Sequence, residues 1–120
     1  MKTISIFLLL CFIGCDQIEN PVLVQSNLFF VQYAVSGDSG RVIINIKNEN
    51  GSVIEFEDET IPWNYSFNRL MPRGSQLFLS AKNPGSSDRT IQTTIYSRGE
   101  VFRTNENTGP FITVVVQGTL

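Results

Sequence analysis

From Asn27 onward, apolar residues alternate with polar ones along this chain, and no segment repeats them at helical spacing. Successive side chains of a β-strand point to opposite faces, so a period of two predicts strands with one buried face. The alternation is clearest at Trp63, Tyr65 and Phe67, which we expect to lie together on such a face. Eight strands are predicted in this way, over residues 29–35, 42–47, 53–57, 63–68, 77–82, 91–96, 100–104 and 112–117.

Turn-forming residues separate the predicted strands. Asn50-Gly51 stands between two alternating runs and predicts a hairpin with a type I′ turn, which needs positive φ at both central residues. Further turns are predicted at 37–40 and at Arg98-Gly99, and the strands should break again at 72–74 and 83–87. Seven or eight short strands with such turns are typical of an all-β, immunoglobulin-like antiparallel β-sandwich, here over residues 27–120. A small barrel is the alternative fold.

The first fifteen residues carry a different pattern. Lys2 precedes an almost unbroken apolar run over residues 4–13, and Gly14 and Cys15 then lead into polar sequence. The run is shorter than the roughly 20 residues that cross a bilayer, but it fits the apolar region of a signal peptide. The ending at 12–15, Phe-Ile-Gly-Cys, resembles the lipobox of bacterial lipoproteins. That resemblance implies cleavage between Gly14 and Cys15, acylation of the Cys15 thiol, and contact with a lipid bilayer through the acyl chains.

The predicted organisation follows from this ending. Residues 1–14 form a lipoprotein signal peptide, 15–26 hold the lipidated cysteine and a short tether, and 27–120 form the sandwich. A flexible tether of this length reaches about 18 Å, so the domain should stay close to a membrane of the bacterial cell envelope. Phe12 departs from the aliphatic residue usual in a lipobox. An ordinary secretory signal and an uncleaved membrane anchor are the two alternatives.

Composition excludes several kinds of chemistry. The chain has no histidine, and without residues 1–14 it keeps Cys15 as its one cysteine, with 8 basic and 11 acidic residues. A disulfide inside the domain, a Cys/His zinc site and a histidine-based triad are therefore excluded. Ser39 and Ser75 stand beside glycines but have no histidine to activate them. No basic cluster marks a nucleic-acid surface. We expect neither catalytic residues nor a cofactor or metal, and no nucleic-acid partner.

Three segments carry a further resemblance: 31–37 (Val-Gln-Tyr-Ala-Val-Ser-Gly), 61–67 (Ile-Pro-Trp-Asn-Tyr-Ser-Phe) and 93–99 (Thr-Thr-Ile-Tyr-Ser-Arg-Gly). Together they resemble the small mycobacterial membrane protein (MmpS) family, over about residues 30–118. The positions that match the family pattern are Tyr33, Val35, Gly37, Pro62, Trp63, Asn64, Ile95 and Gly99.

This resemblance implies a membrane-tethered β-sandwich that acts as an accessory protein of a resistance-nodulation-division type exporter of lipids or siderophores. The chain departs from the family in two respects. Family members carry a transmembrane helix where this chain has a lipobox. Many also have a cysteine pair in the late strands, where this chain has Thr93 and, around 114–116, only valine. The first departure puts the exporter role in question, because a different anchoring face changes the partner.

Two groups of residues in the strands are candidates for binding. Phe30, Ile43 and Phe78 are apolar at positions where the alternation predicts an outward side chain, so they form a partner-binding face if they cluster in space. Glu55, Glu57, Asp58 and Glu59 are the densest charge cluster. A calcium site needs oxygens converging from several positions, and a solvated face that protects an edge strand explains the same residues more simply.

The sequence therefore predicts a membrane-anchored lipoprotein with a non-enzymatic interaction domain, bound to an envelope protein and accessory to an exporter complex. The alternative function is a small extracellular module that binds a glycan or another ligand. In that case Trp63 would serve as a stacking platform, whereas the first function places Trp63 in the core.

Overall fold

The computed structural model describes residues 27–120, which form eight β-strands and no helix. All strand pairs are antiparallel. The strands are β1 (Leu28–Phe29), β2 (Val31–Lys47), β3 (Val53–Ser66), β4 (Met71–Pro72), β5 (Gln76–Lys82), β6 (Arg89–Ser97), β7 (Glu100–Gly109) and β8 (Thr113–Thr119). The predictions of a signal peptide, of cleavage after Gly14 and of acylation at Cys15 lie outside these described residues.

The long strand β2 organises the whole domain. On one side it pairs with β3 along both of its halves. On the other side its first half, Val31 to Gly37, pairs with β6, and its second half, Ile43 to Lys47, pairs with β5. These six strands form one continuous hydrogen-bonded sheet that folds into two layers, which we call the first sheet (β3-β2-β6-β7) and the second sheet (β3-β2-β5-β8). They share β2 and β3, which bend from one sheet into the other.

The two sheets pack face to face and almost close on their open side. There the Asn105 side-chain amide of β7 donates a 2.9 Å hydrogen bond to the Val115 carbonyl of β8. The predicted all-β antiparallel sandwich is confirmed, as a nearly closed, barrel-like version of that fold. Within residues 27–120 there is no helix that could cross a bilayer.

The core consists of the inward residues of both sheets, in the phase that the alternation predicts. In β2 the inward side changes from odd to even positions, because extra residues between Val35 and Val42 shift the register. The buried apolar residues are Val31, Tyr33, Val35, Val42, Ile44, Ile46, Ile61, Phe67, Met71, Leu77, Leu79, Ala81, Ile91, Ile95, Val114 and Val116.

The predicted turn at 37–40 is wrong. These residues form a bulge inside β2, so the predicted strands 29–35 and 42–47 belong to one element, and 53–57 and 63–68 merge in the same way into β3. The backbone bends there because Gly37 and Gly40 have φ of 126° and 140°, which glycine adopts readily. Pairing with β3 resumes at Gly40 opposite Ile61, so the ladder continues through the bend.

The hairpin at Asn50-Gly51 is confirmed, but its turn type is not I′. Gly51 alone has positive φ there, at 78°, and the Asn48 carbonyl accepts a 3.0 Å bond from the Gly51 amide. The Asn48 side chain also accepts bonds from the amides of Asn50 and Ser52, which stabilises a longer loop. The type I′ geometry occurs instead at Arg98-Gly99, where φ is 55° and 80°.

The sandwich has two ends, which we call the near end and the far end. The described chain enters at the near end, where β1 pairs with β4 and the Arg73 amide donates to the Asn27 carbonyl. The loops 48–52 and 67–75, the turn at 98–99 and Leu120 also lie at this end. The bulge at 37–40 and the loops 83–88 and 110–112 lie at the far end.

Candidate functional site

Two of the three residues predicted to form a binding face lie on one surface. Ile43 on β2 and Phe78 on β5 point outward from neighbouring strands of the second sheet, because the residues on either side of each are buried. Phe30 lies just before β2, where the same alternation turns it outward from the first sheet. The outer faces of a sandwich point in opposite directions, so Phe30 does not belong to the surface that carries Ile43 and Phe78.

A shallow groove of about 560 Å³ runs beside Phe78 on this outer face. Val53 of the edge strand β3 adds a second apolar side chain and is 67% exposed. Lys47 lies between them, and its amine donates a weak 3.4 Å hydrogen bond to the Gln76 side chain. The lining residues are Lys47, Val53, Gln76, Leu77, Phe78, Gln117, Gly118 and Thr119. The groove therefore combines apolar contact area with amide groups and one cation.

A buried tyrosine holds the two strands beneath this groove. Tyr33 is fully buried, and its hydroxyl donates a 2.7 Å hydrogen bond to the Lys47 carbonyl and accepts a 3.2 Å bond from the Phe78 amide. Burial raises the pKa of Tyr33 to about 12, although the hydrogen bond with the Phe78 amide lowers it. The hydroxyl therefore stays protonated at neutral pH and fixes the Lys47–Phe78 pair from inside.

The edge strand β3 borders the groove. Among the described strands β3 pairs with β2 alone, so its other edge is open. Glu55 and Glu57 are exposed on it, and Asp58 forms a 2.7 Å ion pair with Arg41, both side chains being largely exposed. Residues 27–120 contain no group of three acidic or other ligating side chains placed to hold a metal ion. The acidic cluster thus lies on an open edge, where charge opposes pairing with another strand.

Trp63 is half-buried in an aromatic cluster that packs against the core. Its ring stacks on Tyr65 at 6.2 Å between centroids, and Phe56 packs against it at 5.4 Å. Phe67 continues the cluster and is buried, while Asn64, Ser66 and Asn68 are exposed. The prediction of which side chains in this strand point inward and which point outward is confirmed. Trp63 therefore packs with neighbouring rings and against the core.

Sequence reasoning missed a buried carboxylate in the loop after β2. Glu49 is 4% exposed, and its carboxylate accepts a 2.6 Å bond from the Tyr65 hydroxyl and a 3.0 Å bond from the Asn68 amide. The Arg69 guanidinium donates to the Glu49 carbonyl. These contacts fix two loops of the near end against each other. No sequence signal points to Glu49, because loop glutamates are usually solvated.

The pKa values of this cluster follow from its contacts. Burial acts to raise the pKa of Glu49, but the hydrogen bonds from Tyr65 and the Asn68 amide, together with Arg69, bring it below the ordinary value of 4.5. The bond to Glu49, followed by burial, raises the pKa of Tyr65 to about 12. Both groups are thus kept in their usual neutral-pH states, the carboxylate charged and the phenol protonated, as expected of a structural contact.

The two serines that stand beside glycines, Ser39 and Ser75, lie in a bulge and in a turn. Ser75 donates a 2.7 Å hydrogen bond to the Pro72 carbonyl and so closes the turn before β5. Ser39 is exposed within the bulge of β2.

A scan against protein-family models finds no family that matches, and a search of curated proteins finds no match. The function is therefore argued from the residues and the geometry described above.

Proposed function

We propose that this protein is a bacterial envelope lipoprotein, anchored through acylated Cys15, whose β-sandwich binds another envelope protein and carries out no catalysis. The proposal joins the lipobox-like sequence at 12–15 with the groove beside Phe78. The groove is the observation that supports binding, since it offers apolar area rimmed by amides and one amine. Such a composition suits the centre and rim of a protein interface.

The proposed contact surface, which we call the outer face of the second sheet, extends beyond the groove. Ile43 and Phe78 are its half-buried apolar members, and Val53 and Val115 are its exposed ones, at 67% and 37%. The open edge of β3 lies along one side of the face. A role as an accessory protein of an exporter is a more specific version of this proposal, and it rests only on the resemblance to the MmpS family.

Site-specific crosslinking in living cells tests this function. A photoreactive phenylalanine analogue at position 78 should form one discrete adduct with an envelope protein. The same analogue at position 111 should form none, because Phe111 is similarly apolar and 58% exposed but lies at the far end. Position 30 provides a second control on the first sheet.

Substitution completes this test. The double variant Ile43→Ser/Phe78→Ser should fold, judged by circular dichroism, and lose co-purification with the protein identified in the adduct. Buried interface anchors of this kind each contribute about 2 kcal/mol when they are hot spots, so the pair should weaken binding by several hundred-fold. A folded double variant that retains the partner at full affinity would exclude this face.

A further inference from the structure

We propose that the near end of the sandwich is a lipid-contacting surface, which docks on the anionic headgroups of the membrane that holds the acylated Cys15. The inference rests on the anchoring part of the proposed function. It concerns a different surface from the groove at Phe78. Charge, exposed apolar area and the position of the chain entry support it independently.

Charge is distributed unevenly between the two ends. The near half of residues 27–120 carries five basic side chains and three acidic ones, and one of those three, Glu49, is buried and hydrogen-bonded. The rest of the domain carries three basic and six acidic side chains. The basic residues of the near half are Lys47, Arg69, Arg73, Arg98 and Arg103; the acidic ones are Glu49, Glu55 and Glu100. A domain with this dipole turns its near end toward a negatively charged surface.

Exposed apolar side chains concentrate at the same end. Six large apolar side chains are prominently exposed in the described residues, and four of them lie in the near half. Val53 lines the groove, whereas Phe30, Leu70 and Val101 lie around the chain entry with exposures of 39%, 50% and 59%. Apolar side chains among arginines are the composition of surfaces that sit at the headgroup boundary of a bilayer.

The contacts at the chain entry bring these groups together. The Arg98 guanidinium lies over the Phe29 ring at 4.1 Å, and that of Arg73 lies 5.3 Å from the same ring. The Arg98 amide donates to the Phe30 carbonyl. Leu70 precedes Met71, which pairs with Phe29 in the small β1–β4 sheet. Two arginines thus lie at one aromatic ring, and the exposed side chains of Phe30 and Leu70 come from residues next to Phe29 and to its strand partner Met71.

The chain that leads to Cys15 favours a membrane over a protein as the occupant. The described chain enters at this end at Asn27, twelve residues after Cys15. A peptide of that length spans at most about 43 Å when fully extended, and it joins the domain at the near end, so that end can reach the membrane that holds an acylated Cys15. Each basic side chain held near an anionic leaflet strengthens binding about fivefold.

Fluorescence quenching in vesicles tests the docking. The full chain, purified from the membranes of expressing cells, is reconstituted in phosphatidylcholine vesicles with or without phosphatidylglycerol, with bromines on the acyl chains near the headgroups. In a Trp63→Phe background, Leu70→Trp reports on the near end and Phe111→Trp on the far end. We expect quenching at position 70 that depends on phosphatidylglycerol, and none at position 111.

Matched charge reversals separate electrostatic docking from simple tethering. Arg73→Glu/Arg103→Glu should abolish the quenching at position 70, and Arg41→Glu/Lys82→Glu, with the same change in net charge at the far end, should preserve it. Equal quenching at both positions, or quenching at 70 that survives the near-end reversal, would overturn the docking while leaving the anchor intact. If an alkaline carbonate wash removes the protein from the vesicles, the lipid anchor is refuted, and the docking is refuted with it.

Discussion

At the scale of single residues, Glu49 and Tyr65 decide how the near end is built. A carboxylate that is 4% exposed is costly unless each of its oxygens finds a donor. Here the Tyr65 hydroxyl and the Asn68 amide supply those donors at 2.6 and 3.0 Å. The bond also orients Tyr65 within the aromatic cluster, so one ionised side chain connects the loop after β2 to the packing of β3.

This arrangement predicts how stability varies with pH. A folded-state pKa of about 12 for Tyr33 and Tyr65, above the ordinary 10, means that the folded state holds both protons more tightly than the unfolded state. Their contribution is complete below pH 10 and is lost as the pH rises toward 12. The contribution of Glu49 depends on pH in the opposite direction. Because its pKa is lowered in the folded state, Glu49 contributes stability above pH 4.5, and this contribution is lost as the pH falls below that value.

Urea denaturation at a series of pH values measures both effects. The decrease in the free energy of unfolding between pH 10 and 12 should become shallower in Tyr33→Phe and in Tyr65→Phe. Glu49→Gln should reduce it as well, because the bond to Glu49 is the largest cause of the Tyr65 shift. Identical alkaline slopes in the wild type and all three variants would show that these hydroxyls titrate normally in the folded protein.

Some residue-level features could be predicted from sequence and others could not. The alternation placed Tyr65 and Phe67 on the inner face, because burial acts on side-chain direction within each strand. The position of the type I′ turn was missed, because the Asn48 side chain stabilises a different loop at Asn50-Gly51. Tyr33 was expected in the core, but the strand carbonyl that its hydroxyl reaches is set by packing between sheets.

At the scale of elements, the bulge in β2 determines how the two sheets meet. Gly37 has a φ of 126°, and a Cβ built on it would lie 2.1 Å from the Thr90 carbonyl oxygen of β6. The close approach of two backbones there lets β2 leave β6 and bend toward β5. Predicting a turn at 37–40 correctly identified the glycines as a point of bending. It missed that β3 follows the same bend, since sequence does not reveal which neighbour a strand keeps.

Alanine substitution tests the role of this bulge. Gly37→Ala should destabilise the protein by about 3 kcal/mol or more, because it adds a clash with a backbone oxygen to an unfavourable φ. Gly51→Ala is the matched control: its φ of 78° is also positive, but no atom lies within 4 Å of the added Cβ. That control should cost about 1 kcal/mol. Equal denaturation midpoints for the two variants would contradict the account of the bulge.

At the scale of the whole molecule, the two proposed contacts use different surfaces of the domain. The groove beside Phe78 lies on the outer face of the second sheet, and the arginines and exposed apolar residues of the near end surround the chain entry. The fold class could be predicted from the alternation alone. The grouping of Phe30 with Ile43 and Phe78 could not, since the bend in β2 carries them to opposite faces of the sandwich.

The membrane contact proposed for the near end depends on attachment of the domain through the chain that enters there. We propose that this attachment is through Cys15, and the apolar run before it is the reason to expect processing there. Two acyl chains anchor a protein firmly where one chain does so only marginally, because each buried CH₂ contributes about 0.8 kcal/mol. The state of Cys15 is therefore the central claim of the account.

Intact-protein mass spectrometry of the chain purified from cell membranes measures that state directly. The account predicts a protein that lacks residues 1–14 and begins at Cys15, with a mass increase that matches a diacylglyceryl group and a further acyl chain. The Cys15→Ala variant should accumulate as the full-length precursor. A membrane-derived wild-type protein that begins at Met1, or that is cleaved elsewhere and carries an unmodified Cys15, would contradict the account.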